Sequence, residues 1–221
     1  MKQIFTPRWL LTILTGCLFA AYSAYNGFVI IRDTPRGLPL EGIVISAVVA
    51  LMFAVLAMFM WTAGIKGKKH IMFMVVHRIS FIIAMLVIIA LKLRLVVRAI
   101  NYIDHTKFYT LLYDAAYFMM LLALMILFVY FVFILNQLPF FPRAGVILPR
   151  TAIILLLLGM IGEMILLFAY GIGLEASLLR SAVMQPVFYL GFIGLSLHFL
   201  YPIEIAPKQT NDKEATDAPS E

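Results

Sequence analysis

The sequence has 221 residues, of which 64% are hydrophobic and only 13% are charged, and its formal net charge is +6. Soluble domains are about 45–50% apolar and about 25% charged, so this chain carries more apolar surface than a soluble domain of its size can bury. The composition therefore excludes an ordinary soluble protein and predicts an integral membrane protein.

The positive charge is spread over short segments between the apolar runs. This distribution is typical of topology signals and of contact with anionic lipid, and it does not favour nucleic-acid binding. We therefore expect membrane lipids as partners and no nucleic acid.

Six apolar runs reach the length of about 20 residues that a membrane-spanning helix needs. Each run ends at proline, glycine or charged residues, which are the usual stop signals. The predicted spans cover residues 9–31, 42–64, 71–95, 108–135, 148–173 and 176–201. Because the connections are short, neighbouring helices should pack antiparallel. The predicted fold is an all-α bundle of about six transmembrane helices with short loops, formed by residues 1–202.

The third run is longer than a membrane requires. A helix from Ile71 to Ile100 would measure about 45 Å, against a hydrocarbon core of about 30 Å. We predict that the helix continues past Leu91 and that the basic residues at its far end contact lipid headgroups, or alternatively bind a protein partner. Those residues are Lys92, Arg94 and Arg98, and the preceding loop adds Lys66, Lys68 and Lys69.

Residues 203–221 form the last segment, which is polar and mostly acidic from Lys208 onward. This composition predicts a disordered tail. The Lys and Arg count is ten on the side of the N-terminus and seven on the other side, which favours a cytoplasmic N-terminus in a plasma (inner) membrane. Six spans then place the C-terminus on the cytoplasmic side as well.

Glu163 is the clearest polar residue inside a predicted span. A carboxylate in the bilayer is costly, so an intramembrane acid is a functional hypothesis by default. We expect Glu163 to point into the bundle, either as a proton- or cation-linked site or as a structural carboxyl bonded to another helix. The candidate donors are Tyr22, Tyr25, Ser46, Thr62, Tyr189 and Ser196.

Two further polar positions belong to the candidate intramembrane site. Asp114 falls in the first turns of the fourth span beside Tyr113 and Tyr117, where it either anchors the helix at the interface or has a functional role, and in both cases it can link to Arg94 or Arg98. Gln185 precedes Pro186 in the sixth span, and a proline there removes a helix hydrogen bond and predicts a kink.

His77 and His198 lie near the start of the third span and the end of the sixth. Antiparallel threading places both on the same membrane side. Two histidines from different helices can ligate a b-type haem, so haem is a candidate cofactor. The alternative is that His77, next to Arg78, anchors its helix at the headgroups.

Small residues in two spans predict close helix packing. They are Gly16, Ala20, Ser23, Ala24 and Gly27 in the first span, and Gly159 and Gly162 in the fifth. They can pack inside the bundle or against another subunit.

Common catalytic motifs are absent from the sequence, which disfavours an enzyme. The metal-binding patterns HExxH and CxxC are absent as well, so no metal is predicted. Our leading expectation is a non-enzymatic membrane subunit, anchor or sensor and assembly module that associates with other membrane subunits or with itself. The alternatives are a small proton- or cation-linked transporter or channel that uses Glu163, and a haem or quinone redox subunit that uses His77 and His198.

Overall fold

The computed structural model describes residues 7–37, 39–63, 71–102, 108–134, 142–171 and 178–204. Within these ranges the chain forms six α-helices and no strand, which confirms the all-α fold. The helices are α1 (Pro7–Asp33), α2 (Leu40–Ala63), α3 (Ile71–Tyr102), α4 (Phe108–Val129), α5 (Pro142–Tyr170) and α6 (Leu178–Glu204). A short 3-10 turn follows α1 at Thr34–Arg36, and a π-helical turn at Tyr130–Ile134 continues α4.

Five of the helices in the described ranges, all except α3, are long and apolar enough to cross a membrane. Their outer faces carry large apolar side chains that no other part of the described chain covers. Leu51 is 60% exposed, Phe118 is 63% exposed and Ile154 is 57% exposed. Exposing such an apolar surface to water over a whole bundle is strongly unfavourable, whereas lipid solvates it. The chain is therefore a multi-pass integral membrane protein.

Helix α3 has 32 residues, about 48 Å of helix, which confirms that it continues past Leu91. Its exposed face is apolar between Arg78 and Arg94, which are both exposed. The two arginines lie about 24 Å apart along the axis, and their side chains can reach outward to headgroups on either side of a core of about 30 Å. This geometry agrees with the predicted third span, and whether α3 crosses the membrane stays a prediction. The apolar face consists of Ile79, Ile83, Leu86, Ala90 and Leu93.

Labelling of two introduced cysteines tests whether α3 crosses the membrane. In a background with Cys17→Ala, we expect Thr34→Cys and Arg143→Cys to react with an impermeant maleimide from opposite faces. These positions are exposed near the end of α1 and the start of α5. If α3 did not cross, both positions would lie on one side, so labelling of both from the same face would contradict the six-span threading.

The core is aromatic. Helix α1 packs against α2 and α6, and α5 packs against α4 and α6. Rings from α1, α2 and α6 form a continuous cluster with centroid separations of 4.4–6.1 Å. Such contacts add to the burial of apolar area. The cluster, which we call the aromatic core, consists of Phe19, Tyr22, Phe53, Phe188 and Phe192.

The helix ends differ in part from the predicted ones. Helix α5 begins at Pro142, six residues before the predicted start of the span at residue 148, and runs through Pro149. A proline in the first helical turn costs no hydrogen bond, and Pro142 occupies that position. The same helix ends at Tyr170 because Gly171 adopts the left-handed conformation, with φ +64, and donates its N–H to the Leu167 carbonyl at 3.1 Å.

The predicted tail begins two residues too early. Helix α6 extends to Glu204, so residues 203 and 204 are helical. Residues 205–221 lie outside the described residues, and the prediction of disorder there is untested.

Candidate functional site

Glu163 lies inside the bundle, as predicted, with 0% of its surface exposed. One helical turn before Glu163, at Gly159, helix α5 packs closely against α4 and α6. A Cβ on Gly159 would lie 3.2 Å from the Ala116 carbonyl oxygen of α4 and 3.3 Å from the Tyr189 hydroxyl oxygen of α6. Because residues four apart share a helix face, Glu163 points into the junction of α4, α5 and α6.

Tyr189 is the donor that the structure places beside Glu163. Its side chain is fully buried, and its hydroxyl interacts electrostatically with the Glu163 carboxyl group. The contact does not have the geometry of a well-formed hydrogen bond. Two other candidates hydrogen-bond to backbone carbonyls of their own helices, Ser196 to Phe192 at 2.8 Å and Thr62 to Met58 at 2.7 Å.

Gln185 lies one turn before Tyr189 on α6 and is 1% exposed. Residues four apart lie on one face of a helix, so its amide and the Tyr189 hydroxyl belong to the same side of α6. Helix α6 runs unbroken through Pro186, whose ring leaves the Ala182 carbonyl without its helical N–H donor. The polar part of α6 therefore coincides with a turn that lacks one helix hydrogen bond.

Lys92 was predicted to reach lipid headgroups, but its side chain is buried at 7% exposure. Its ammonium nitrogen lies 4.7 Å from the centre of the Phe188 ring, a cation–π contact between α3 and α6. The physical reason is periodicity. Met85 and Ile88 are buried on α3, and Lys92 continues that stripe at helical spacing, so it faces the bundle.

The other basic residues predicted at the headgroups have different outcomes. Arg94 is exposed and forms an ion pair with Glu41 at the start of α2. The side chains of Arg98, Lys66, Lys68 and Lys69 lie outside the described residues, so their contact with headgroups stays a prediction.

Asp114 is half-buried on α4, next to the tilted ring pair of Tyr113 and Tyr117 at a centroid separation of 5.0 Å. Arg94, one of its two predicted partners, pairs with Glu41. The side chain of Arg98, the other predicted partner, lies outside the described residues. Anchoring of α4 by Asp114 stays a prediction.

His198 is buried near the end of α6, and its Nδ1 lies 3.1 Å from the Thr12 hydroxyl of α1. This contact joins the start of α1 to the end of α6, as antiparallel threading requires. The side chain of His77 lies outside the described residues. Haem ligation by the two histidines is therefore untested and stays a prediction.

The small-residue faces are partly occupied within the chain. Gly16 lies against Trp61 of α2, and the Ser23 hydroxyl donates to the Ala50 carbonyl at 2.7 Å. On α5, a Cβ on Gly162 would lie 3.4 Å from the Ala116 Cβ. Gly16, Ser23 and Gly162 therefore contact helices of the same bundle, whereas Gly27 has no atom within 4 Å of its Cβ position, so packing of the remaining face against another subunit stays a prediction.

Sequence reasoning missed Asn26, which is fully buried on α1. Its side-chain amide donates to the Tyr22 carbonyl one turn earlier at 2.8 Å. This local bond lowers the cost of burying one N–H of the amide.

The buried hydroxyl of Tyr189 can serve the Glu163 carboxyl group in either protonation state. A tyrosine hydroxyl donates to a carboxylate or accepts from a carboxylic acid by rotating its hydrogen. A guanidinium would instead fix the carboxyl group in its charged form. Among the described residues, no three His, Cys, Asp or Glu side chains come together to hold a metal ion.

Comparison of the chain with protein-family models, with curated proteins and with solved structures finds no significant match.

Replacing Tyr189 by phenylalanine tests the contact with Glu163. We expect Tyr189→Phe to fold and to change the pH profile of any proton-dependent activity, because phenylalanine offers Glu163 neither a donor nor an acceptor. The measurement is activity against pH, with Tyr130→Phe, a second fully buried tyrosine, as the control. An unchanged profile would show that the hydroxyl does not act on Glu163.

Proposed function

We propose that the protein is a small proton-linked membrane transporter in which Glu163 carries the proton. The observation that carries the proposal is a fully buried carboxyl group beside the hydroxyl of Tyr189, which can bond to both of its protonation states. Burying an acidic side chain inside a membrane-spanning bundle costs free energy, and such acids mark proton relays and ion pathways in membrane proteins.

The turn of α6 next to the carboxyl group supports movement. Pro186 removes one backbone hydrogen bond at the level of Gln185, and helices bend most readily at such turns. Bending there would move Gln185 and Tyr189 relative to Glu163. A transporter needs this kind of change to expose one group to two sides of a membrane in turn.

The location and orientation are part of the proposal. We place the protein in a plasma (inner) membrane with both termini in the cytoplasm, because the segments on that side have a weak excess of Lys and Arg. In this orientation Glu163 and Gln185 lie in the outer half of the bundle, seven residues from the outer ends of α5 and α6.

A membrane-subunit role was our leading expectation from sequence, and it stays a prediction. Part of its support was the small-residue faces of α1 and α5, and much of that surface is filled by α2 and α4. Purification in mild detergent with a stoichiometric partner, or as a defined self-associated species, would favour it over the transporter.

The experiment that tests the proposal uses proteoliposomes with a trapped pH-sensitive dye. Small anionic, cationic and neutral solutes are added outside one at a time. We expect at least one solute to move protons in a way that requires the protein. Protein-dependent movement of a solute without any proton movement, at all pH values, would contradict the proposal.

A further inference from the structure

A second group of aromatic rings lies at the end of the bundle that holds the start of α1 and the end of α6. The rings come from α2, α3, α6 and the end of α4, and they contact one another at centroid separations of 4.1–5.9 Å. The ring on α2 is half-buried, and the others are buried. We call this group the inner aromatic layer, and it consists of Phe59, Phe81, Tyr130, Phe131 and Phe199.

The inner aromatic layer lies between Glu163 and that end of the bundle. Glu163 lies beside Tyr189, and Phe199 follows Tyr189 by ten residues on α6, about 15 Å along the helix axis. In the proposed orientation this end of the bundle is the cytoplasmic one. A proton that leaves Glu163 toward the cytoplasm therefore has to pass the level of the layer. Apolar rings in mutual contact exclude the water that would conduct it.

Two rings of the layer belong to a distorted turn of helix. Tyr130 and Phe131 are the first residues of the π-helical turn Tyr130–Ile134, in which each N–H bonds one residue further back than in an α-helix. Such turns are rare, occur frequently at functional sites, and are among the few places where a helix bends sharply. The layer is therefore attached to a part of α4 that can bend while the rest of the helix stays in place.

The hydroxyl group of Tyr130 opposes the close packing of the layer. Tyr130 is 0% exposed, and its hydroxyl oxygen has no hydrogen-bond partner among the residues that the structure describes. Burying an unpaired hydroxyl costs free energy. A bend of α4 that brings this hydroxyl to water recovers that free energy. The packed and the bent arrangement therefore differ less in stability than the contacts between the rings alone would require.

We propose that the inner aromatic layer is the cytoplasmic gate of the transporter and that the π-helical turn of α4 is its hinge. The inference rests on the proposed function, because it names the barrier that a proton on Glu163 has to pass. The gate is closed in this structure. Bending at the π-helical turn withdraws Phe131 from Phe81 and Phe199, and water from the cytoplasm then reaches toward Glu163.

The first test measures a proton leak. Proteoliposomes with a trapped pH-sensitive dye receive a pulse of acid outside, with no solute added. Wild-type protein should leave them as tight as protein-free liposomes, whereas Phe131→Ala, which removes a ring that contacts three helices, should let protons in. Phe133→Ala is the matched control, because it removes a ring of the same turn that is 58% exposed, and it should stay tight. Tight liposomes with Phe131→Ala, or an equal leak in both variants, would overturn the gate.

A distance measurement with the layer intact makes the test independent of how well Phe131→Ala folds. Spin labels are attached at Ile79→Cys on α3 and Phe133→Cys on the π-helical turn, in a background with Cys17→Ala. Both side chains are exposed, at 53% and 58%, so the labels do not disturb the layer. The pair should give two distances, one for the closed and one for the bent arrangement. Tyr130→Phe should increase the share of the closed one, because it removes the unpaired hydroxyl.

Labels at Ile79→Cys and Met125→Cys provide the control, because Met125 precedes the π-helical turn on α4 and is 49% exposed. This pair should give one distance, which Tyr130→Phe leaves unchanged. A single distance for both pairs would overturn the hinge, and so would two distances for both. In either case a loss of proton movement in Glu163→Gln would leave the proposed function intact. Two distances for the Phe133 pair alone, in a protein that moves no protons with any solute, would overturn the proposed function and not the hinge.

Discussion

Glu163→Gln should fold and insert like the wild type but lose proton-coupled solute movement completely, to the level of liposomes without protein. Glutamine has nearly the same shape and can hydrogen-bond to Tyr189 in the same place. Burying a neutral amide also avoids the desolvation penalty of a carboxylate, so stability should be unchanged or higher. What glutamine cannot do is take up and release a proton in the working pH range.

The matched control is Glu41→Gln, which removes an exposed carboxylate at the membrane surface and its ion pair with Arg94. Exposed ion pairs contribute about 0–1 kcal/mol, so this variant should transport like the wild type. Glu163→Asp should retain a pH-dependent but slower activity. The carboxyl group is still present, but the shorter side chain displaces it by one methylene group. If Glu163→Gln transported protons with wild-type dependence on pH, Glu163 would be a structural carboxyl group.

Gly191→Ala should cost about 1–3 kcal/mol of stability, the usual range for adding a methyl group to a packed core. A Cβ at this position would lie 2.7 Å from a carbon of the Phe19 ring. Phe19 cannot move away easily, because Phe53 and Phe192 pack against it at centroid distances of 5.8 and 5.2 Å. The measurement is unfolding in mixed detergent micelles.

Gly27→Ala provides the control for this variant. A Cβ on Gly27 has no atom within 4 Å, and alanine favours a helix over glycine by about 1 kcal/mol. We therefore expect Gly27→Ala to be neutral or stabilising. Equal stability of the two variants would mean that α1 and α6 do not approach as closely at Gly191 as the structure has them.

The fold could be predicted from the sequence because the solvent dictates it. A chain that must satisfy every backbone group in lipid has few options, so runs of apolar residues identify helices. Even the continuation of α3 past Leu91 followed from the apolar residues beyond that position. The start of α5 could not be predicted this way, because Pro142 and Pro149 are both acceptable first residues and tertiary packing chooses between them.

The site could be predicted only in part. A carboxyl group in mid-span has to point inward, and this located Glu163 and included Tyr189 among its donors. Lys92 was assigned to the headgroups because a lysine near a helix end can reach them, whereas its spacing from Met85 and Ile88 placed it on the buried face. The residues through which two helices contact each other depend on the rotation of each helix about its axis and on the crossing angle between them. A single sequence contains little information on either.

The most direct test of the central claim is whether Glu163 exchanges a proton inside the bundle. Infrared difference spectra of the reconstituted wild-type protein, recorded between high and low pH, should show the carbonyl band of a protonated carboxyl group in an apolar setting. That band should be missing from Glu163→Gln and retained in Glu41→Gln. If the spectra of wild type and Glu163→Gln were the same across the pH range, Glu163 would keep one protonation state throughout, and the protein could not use it to carry protons.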